Sequence, residues 1–313
     1  MLGSDEAAEV ARRYGLGAGA RLTGVVERGE QGEIRQLVSD HGMWAVKLAF
    51  GEPEDTDGED AAFQDAARRA GVPAPAVVRT ADGDVFAEIG GVHVRVYGWV
   101  DVRPTDRTLD PGRVGRLVAG MHRVVFRGRR PEHYWYTDAV GAVGWDGLIE
   151  ELITAGAPFA ADLAAIRDDL VEAEALIEPA RVLSTCHRDL WADNLRATGD
   201  GGLCVIDWEN CGLADPGQEL AGVLFEFWLG DPERARELYR EYVLAGGPGR
   251  IDGRGGFSMT IAQLHHITEI SGRIWLDPAT SEDERRRQAT RVGESTGDLL
   301  TVRVIDEILE SIA

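Results

Sequence analysis

The apolar pattern of this chain changes period once, and that change commits it to a fold in two parts. From Leu22 the segments LTGVVER, EIRQLVS and MWAVKLA are β-rich, separated by the turn-prone GEQG and DHG. VFAEI and VHVRVYGWV follow, with a Gly-Gly pair between them. A helical period interrupts them at AAFQDAARRAG, where Ala62, Phe63, Ala66, Ala67 and Ala70 share a face and Gly71 and Pro73 stop the helix. Ser4, Asp5 and Glu6 open a short leading helix that Gly15 ends. The first hundred residues thus predict five strands and one inserted helix.

Beyond that point the period is helical. Asp110 and Pro111 form an N-cap and first-turn pair ahead of Val114, Leu117, Val118 and Met121. Asp231 and Pro232 repeat the device for a helix towards Leu244, and a final helix is predicted over 282–310, with Gly293 and Gly297 as its weak points. Within this helical half, RVLST, DNLRA and LCVIDW are short extended pieces between 181 and 212. The expectation is an α+β fold: a small antiparallel β-sheet lobe with one key helix over 1–98, and a larger, mainly helical lobe over 99–313.

At 313 residues the chain is long enough for two cores. Lys and Arg number 33 against 54 Asp and Glu, giving −21, a surface that repels nucleic acid and anionic lipid and suits a cationic small molecule. The amino terminus MLGSDEAAEVARR carries acids where a signal peptide is basic and then apolar, and no run approaches the roughly eighteen apolar residues of a membrane span. A cytoplasmic protein without nucleic-acid or membrane partners is expected. Cys186, Cys204 and Cys211 lack metal-ligand spacing and read as buried free thiols.

The chemistry concentrates in HRDLWADN, His187 to Asn194, followed thirteen residues later by Asp207 in VIDWEN. Phosphoryl transfer asks a protein mainly to position groups and neutralise charge. A carboxylate must meet the acceptor hydroxyl, and Asp189 is the candidate. Asn194 and Asp207 offer the hard oxygens that Mg2+ prefers. A turn aspartate would explain Asp189 alone, but not the conjunction of HxDxxxxN with an apolar strand running into IDW.

These motifs resemble the aminoglycoside phosphotransferase family, which shares the protein-kinase-like fold and includes choline, homoserine and other small-molecule kinases. HxDxxxxN matches His187, Asp189 and Asn194, and IDWE matches Ile206 to Glu209. The resemblance implies that Asp189 is the catalytic base, that Asn194 and Asp207 bind Mg2+, that His187 holds the loop, and that ATP or GTP is the phosphate donor. It implies a strand lysine on the α- and β-phosphates, matched by Lys47 in AVKLA, with an acid from the next helix holding it: Glu59, or alternatively Asp60. Alternation puts Lys47 on the face opposite Val46 and Leu48. Gly29 and Gly32 suit a nucleotide-covering turn, and Tyr97, Trp99 and Val100 would lie at the adenine. Glu219, in GLADPGQELA, stands where the family has an aspartate bracing the catalytic loop, one methylene longer. Arg188 is glycine in many members.

Two alternatives to an antibiotic-directed kinase remain. One is a metabolic kinase of a choline-, homoserine- or sugar-type alcohol; the other is a nucleotide-binding pseudokinase, which would need the loss of Lys47, Asp189, Asn194 or Asp207. The acceptor side should come from Trp191 and from a segment rich in aromatics and acids, with Trp135, Trp145 and Asp146 as candidates. Oligomeric state is left open by the sequence.

Overall fold

The computed structural model describes residues 4–28, 32–51 and 58–313. Contacts divide the chain into two units, one comprising Met1–Asp106, Val124–Arg130 and Ala192–Gly212, the other Arg107–Arg123, Pro131–Trp191 and Leu213–Ala313. The boundary expected between residues 98 and 99 is not where the contacts divide. Both units are discontinuous in sequence, and the HRDLWADN loop runs from the second into the first.

In the first unit, helix α1 (Ser4–Tyr14) precedes strands β1 (Arg21–Arg28), β2 (Gly32–Ser39) and β3 (Gly42–Ala49). Helix α2 (Glu59–Arg69), β4 (Val77–Val78), β5 (Phe86–Ile89) and β6 (Val92–Gly98) follow. The antiparallel sheet runs β1-β2-β3-β6-β4, with β5 also paired to β6. Acids in the first turn of α1 and arginines in its last complement the helix dipole. Its Val10, Ala11 and Tyr14 pack on Leu37, Val46, Leu48, Val94 and Val96, and Tyr14 Oη donates to the Val94 carbonyl at 2.6 Å. Strand β4 was not anticipated, because two residues after Pro73 and Pro75 carry no period.

The inner face of α2 differs from the expected one. Asp60, Ala61, Phe63, Gln64 and Ala67 are buried, while Ala62 and Ala66 are only partly so and Ala70 is exposed. Polar residues take the inside because each has a partner there: Asp60 pairs with Arg95, and Gln64 Nε2 donates to the Pro75 carbonyl at 2.8 Å. The ladder of β8 (Leu195–Ala197) and β9 (Leu203–Val205) joins this unit through Val205 N–H to Pro73 O and a Val102–Thr198 bridge.

The second unit contains α3 (Pro111–His122), α4 (Tyr134–Thr137), α5 (Gly141–Ala155), α6 (Ala160–Ala165), α7 (Arg167–Glu174) and β7 (Ser184–Cys186), which pairs with β10 (Gly212–Ala214). Then come α8 (Pro216–Trp228), α9 (Pro232–Leu244), α10 (Ser258–Leu276), α11 (Glu282–Gly297) and α12 (Val302–Ile312). The Asp-Pro devices act as expected: Asp110 accepts from Arg113 N–H at 2.7 Å and Asp231 from Glu233 N–H at 2.9 Å. Asp215 caps α8 in the same way. Gly115 lets α3 meet α9, since a Cβ there would lie 2.3 Å from the Leu238 carbonyl oxygen. The single helix expected over 282–310 is two helices. Beyond Gly297 the buried Leu300 turns inward, and Thr301 caps α12 by accepting from Val304 N–H. The core around Trp145, Leu148, Leu152, Leu163, Leu170 and Val292 holds α5, α6, α7 and α11 together.

Candidate active site

In the first unit the site is built on β3. Val46 and Leu48 are 0% and 5% exposed and face α1, so alternation turns Lys47 to the other face, as expected. Lys47 sits opposite Arg95 of β6. Its Nζ donates to Asp207 Oδ1 at 3.0 Å and to Glu209 Oε2 at 2.8 Å. Burial alone would lower the Lys47 pKa, but the two carboxylates more than offset it and the ammonium is held above its ordinary value.

Asp207 follows β9 with φ at 58°, a left-handed conformation that aspartate tolerates better than most residues. The short 3-10 turn Trp208–Asn210 comes next; Trp208 is buried against Phe63, while Asp207 and Glu209, on either side of it, both reach Lys47. Asn194 precedes β8, and Ile206 N–H donates to its carbonyl at 3.0 Å. The two expected metal ligands thus stand at one end of the same two-stranded ladder. Asp207 is open to solvent and Asn194 is largely buried.

The acid expected on Lys47 is not the one found there. The Glu59 carboxylate accepts the N–H groups of Arg129 at 2.7 Å and Arg130 at 2.9 Å, and Asp60 is fully buried against Arg95. Glu209 takes the place instead, and Tyr97 Oη donates to its other oxygen at 3.4 Å. Trp99 N–H donates to the Met43 carbonyl, and the Val100 carbonyl accepts from Val102 N–H. Gly29 lies outside the described residues. Gly32 has a steric reason to be glycine, because a Cβ would lie 2.4 Å from the Leu48 carbonyl oxygen.

In the second unit, β7 leads into a fully buried His187 and then Arg188, whose φ is 65°. Arg188 N–H donates to Glu219 Oε1, while Glu219 Oε2 bonds His122 Nε2 at 2.6 Å; His122 Nδ1 in turn bonds Tyr242 Oη at 2.8 Å. Burial would raise the Glu219 pKa, but His122 and the Arg188 N–H overcome it, and the carboxyl lies below its ordinary value. Glu219 therefore braces the loop despite its extra methylene. Cys186, His122 and Glu219 bring possible ligand atoms within 4.8 Å of one another, which the cysteine spacing did not show. His122 and Glu219 hydrogen-bond each other, while Cys186 Sγ donates to the Ala214 carbonyl at 3.6 Å. All three cysteines are buried and outside any disulfide, and burial pushes the Cys204 thiol up to about 12.

The Arg188 side chain donates to the Pro131 carbonyl at 3.1 Å and lies 4.7 Å over the Tyr136 ring. Asp189 is half-buried, and its Oδ1 accepts from Gln263 Nε2 of α10 at 3.2 Å. Trp135 stacks on His266 with centroids 5.6 Å apart, and Trp191 is partly exposed. Trp145 must be removed from the acceptor candidates: it is 0% exposed and its Nε1 donates to Glu174 at 3.0 Å. Asp146 is exposed and held by Arg167 through two hydrogen bonds. Sequence reasoning missed Glu209, Arg95 and Gln263. A signal existed only for Glu209, in the IDWE match.

A sheet lysine bonded to the aspartate of IDW, in a chain with an intact HxDxxxxN loop, defines a small-molecule phosphotransferase with the protein-kinase-like fold. Residues 26–256 match the model of the APH phosphotransferase enzyme family, and the chain belongs to that family. Comparison with curated proteins finds no match. Among solved structures, the chain is similar to a spectinomycin phosphotransferase in complex with ADP and spectinomycin, at TM-score 0.70 and 13% identity over 99% of this chain and 98% of that one. It is also similar to an amicoumacin kinase in complex with AMP-PNP and Ca2+, at TM-score 0.60 and 13% identity over 92% and 91% of the two chains. An ethanolamine kinase from Plasmodium vivax aligns at TM-score 0.55 and 14% identity over 92% and 84%. No helix among the described residues is long and apolar enough to cross a membrane.

Proposed function

We propose that the protein moves the γ-phosphoryl group of ATP or GTP to a hydroxyl of a small molecule. The observation that carries this reading is Lys47, extended from the sheet to Asp207 beside Asn194. A carboxylate and an amide at the end of one ladder are hard donors, and Asp207 is accessible, so the pair fits Mg2+. The metal, held by Asn194 and Asp207, would neutralise charge on the transferring phosphoryl group. Lys47 binds the α- and β-phosphates. Asp189, oriented by Gln263, takes the proton as the acceptor oxygen bonds the γ-phosphorus and the bond to the β-phosphate oxygen breaks, releasing the nucleoside diphosphate.

The acceptor proposed first is a hydroxylated antibiotic, aminoglycoside or other, and the −21 charge suits a cationic one. Trp191 and Trp135 are the aromatic faces offered to it. A metabolic alcohol is the second reading, supported by the likeness to an ethanolamine kinase. A pseudokinase is disfavoured because Lys47, Asp189, Asn194 and Asp207 are all present. The protein is proposed to act in the cytoplasm. A nucleotide-consumption screen over aminoglycosides, other hydroxylated antibiotics and small metabolic alcohols tests the reading; acceptor-dependent consumption supports it, and none with any of them overturns it.

A further inference from the structure

A lysine that binds phosphate from a β-strand must be held extended, because four rotatable bonds otherwise let the ammonium wander. The helix carboxylate expected to hold it is engaged elsewhere, Glu59 being bound by the main chain at Arg129 and Arg130. Of the two acids on Lys47, Asp207 is the more exposed, its side chain 41% accessible against 21% for Glu209. That leaves Glu209, whose two oxygens are divided: Oε2 accepts from Lys47 at 2.8 Å, while Oε1 faces Tyr97 Oη at 3.4 Å and Arg95 Nη1 at 3.7 Å.

Arg95 is well placed to hold that carboxylate. It is 1% exposed, ion-paired with the fully buried Asp60 of α2, and flanked by the Phe86 and Tyr97 rings at 5.1 and 5.2 Å. Its Nε and Nη2 have no hydrogen-bond partner among the described residues. The register of β3 and β6 sets Lys47 and Arg95 directly opposite each other.

We propose that Glu209 is the positioning residue of Lys47, and that Arg95 and Tyr97 hold it there, so that α2 is coupled to the lysine through Asp60, Arg95 and Glu209 in turn. This rests on the nucleotide reading above. It makes Glu209 part of the phosphate-binding machinery even when no metal is present.

The test is calorimetric binding of ADP to the full-length protein in EDTA, where metal ligation contributes nothing. Glu209→Gln and Arg95→Met should each weaken binding about tenfold or more, the scale of a charge-assisted contact. Arg95→Lys should recover most of that loss, which a purely structural arginine would not require. Tyr97→Phe, which removes one hydroxyl and no packing, should cost about threefold and serves if Arg95→Met fails to fold. Glu59→Gln should stay within about twofold of the parent protein. Unchanged ADP binding in EDTA by Glu209→Gln, with a defect appearing only when Mg2+ is added, would make Glu209 a metal ligand and overturn the proposal. So would a tenfold loss in Glu59→Gln. Absence of ADP binding by the parent protein both with and without Mg2+ takes down the nucleotide reading and this proposal together, whereas parent binding only with Mg2+, or parent binding in EDTA with an indifferent Glu209→Gln, takes down the proposal alone.

Discussion

Replacing Glu219 by alanine removes the acceptor of two buried groups at once, the Arg188 N–H and His122 Nε2. A hydrogen bond to a charged group contributes about 1.5–3 kcal/mol, and two to the Glu219 carboxylate are lost, so a loss of about 3–5 kcal/mol is expected. At roughly 2–4 °C per kcal/mol for a unit of this size, the melting temperature should fall by about 6–20 °C. The pH dependence has a definite sign. The Glu219 carboxyl is depressed below its ordinary 4.5, so its contribution is fully present above pH 4.5 and is lost as pH falls through the depressed value. Differential scanning calorimetry of parent and Glu219→Ala at pH 7 and pH 3 should show a wide gap that narrows in acid. A gap below about 1 kcal/mol at pH 7, or one that is unchanged at pH 3, would refute the brace.

Three further outcomes follow from the same geometry. Asp207→Ala should abolish turnover and remove the dependence of nucleotide affinity on Mg2+, read by titrating the metal; retention of that dependence would take Asp207 out of the metal site. Trp145→Ala should cost about 3–5 kcal/mol of stability through the cavity it opens, while Trp135→Ala should raise the acceptor KM at little cost in melting temperature. The reverse pattern would restore Trp145 to the acceptor site. Gly115→Val should drive a side chain into the Leu238 carbonyl and lower stability by about 1–3 kcal/mol, measured by urea unfolding; a stable variant would show that α3 and α9 do not need this close approach.

The parts legible in the sequence were those fixed by local pattern. Alternation placed β1 to β3 and the face of Lys47, and the Asp-Pro pairs placed the starts of α3 and α9. The HxDxxxxN and IDW motifs marked the candidate loop because their spacing is itself local. What was not legible depends on distant partners. The Lys47 carboxylates lie 160 and 162 residues away, and nothing near Glu59 in sequence shows that residues 129 and 130 will claim it. The inner face of α2 was misjudged because Asp60 and Gln64 are polar, and distant partners, Arg95 and the Pro75 carbonyl, help make their burial tolerable. Trp145 was a different kind of error. It lies with Leu148, Ile149 and Leu152 at helical spacing, a core stripe that its neighbouring acid obscured.

The most direct test of the central claim separates binding from chemistry at Asp189. With an acceptor found by the screen, product is followed by mass spectrometry while nucleotide affinity is measured on the same samples. Asp189→Ala should bind nucleotide with parent affinity and form no phosphomonoester, because only the group that meets the acceptor hydroxyl has been removed. Phosphomonoester formation by Asp189→Ala at the parent rate would contradict the account.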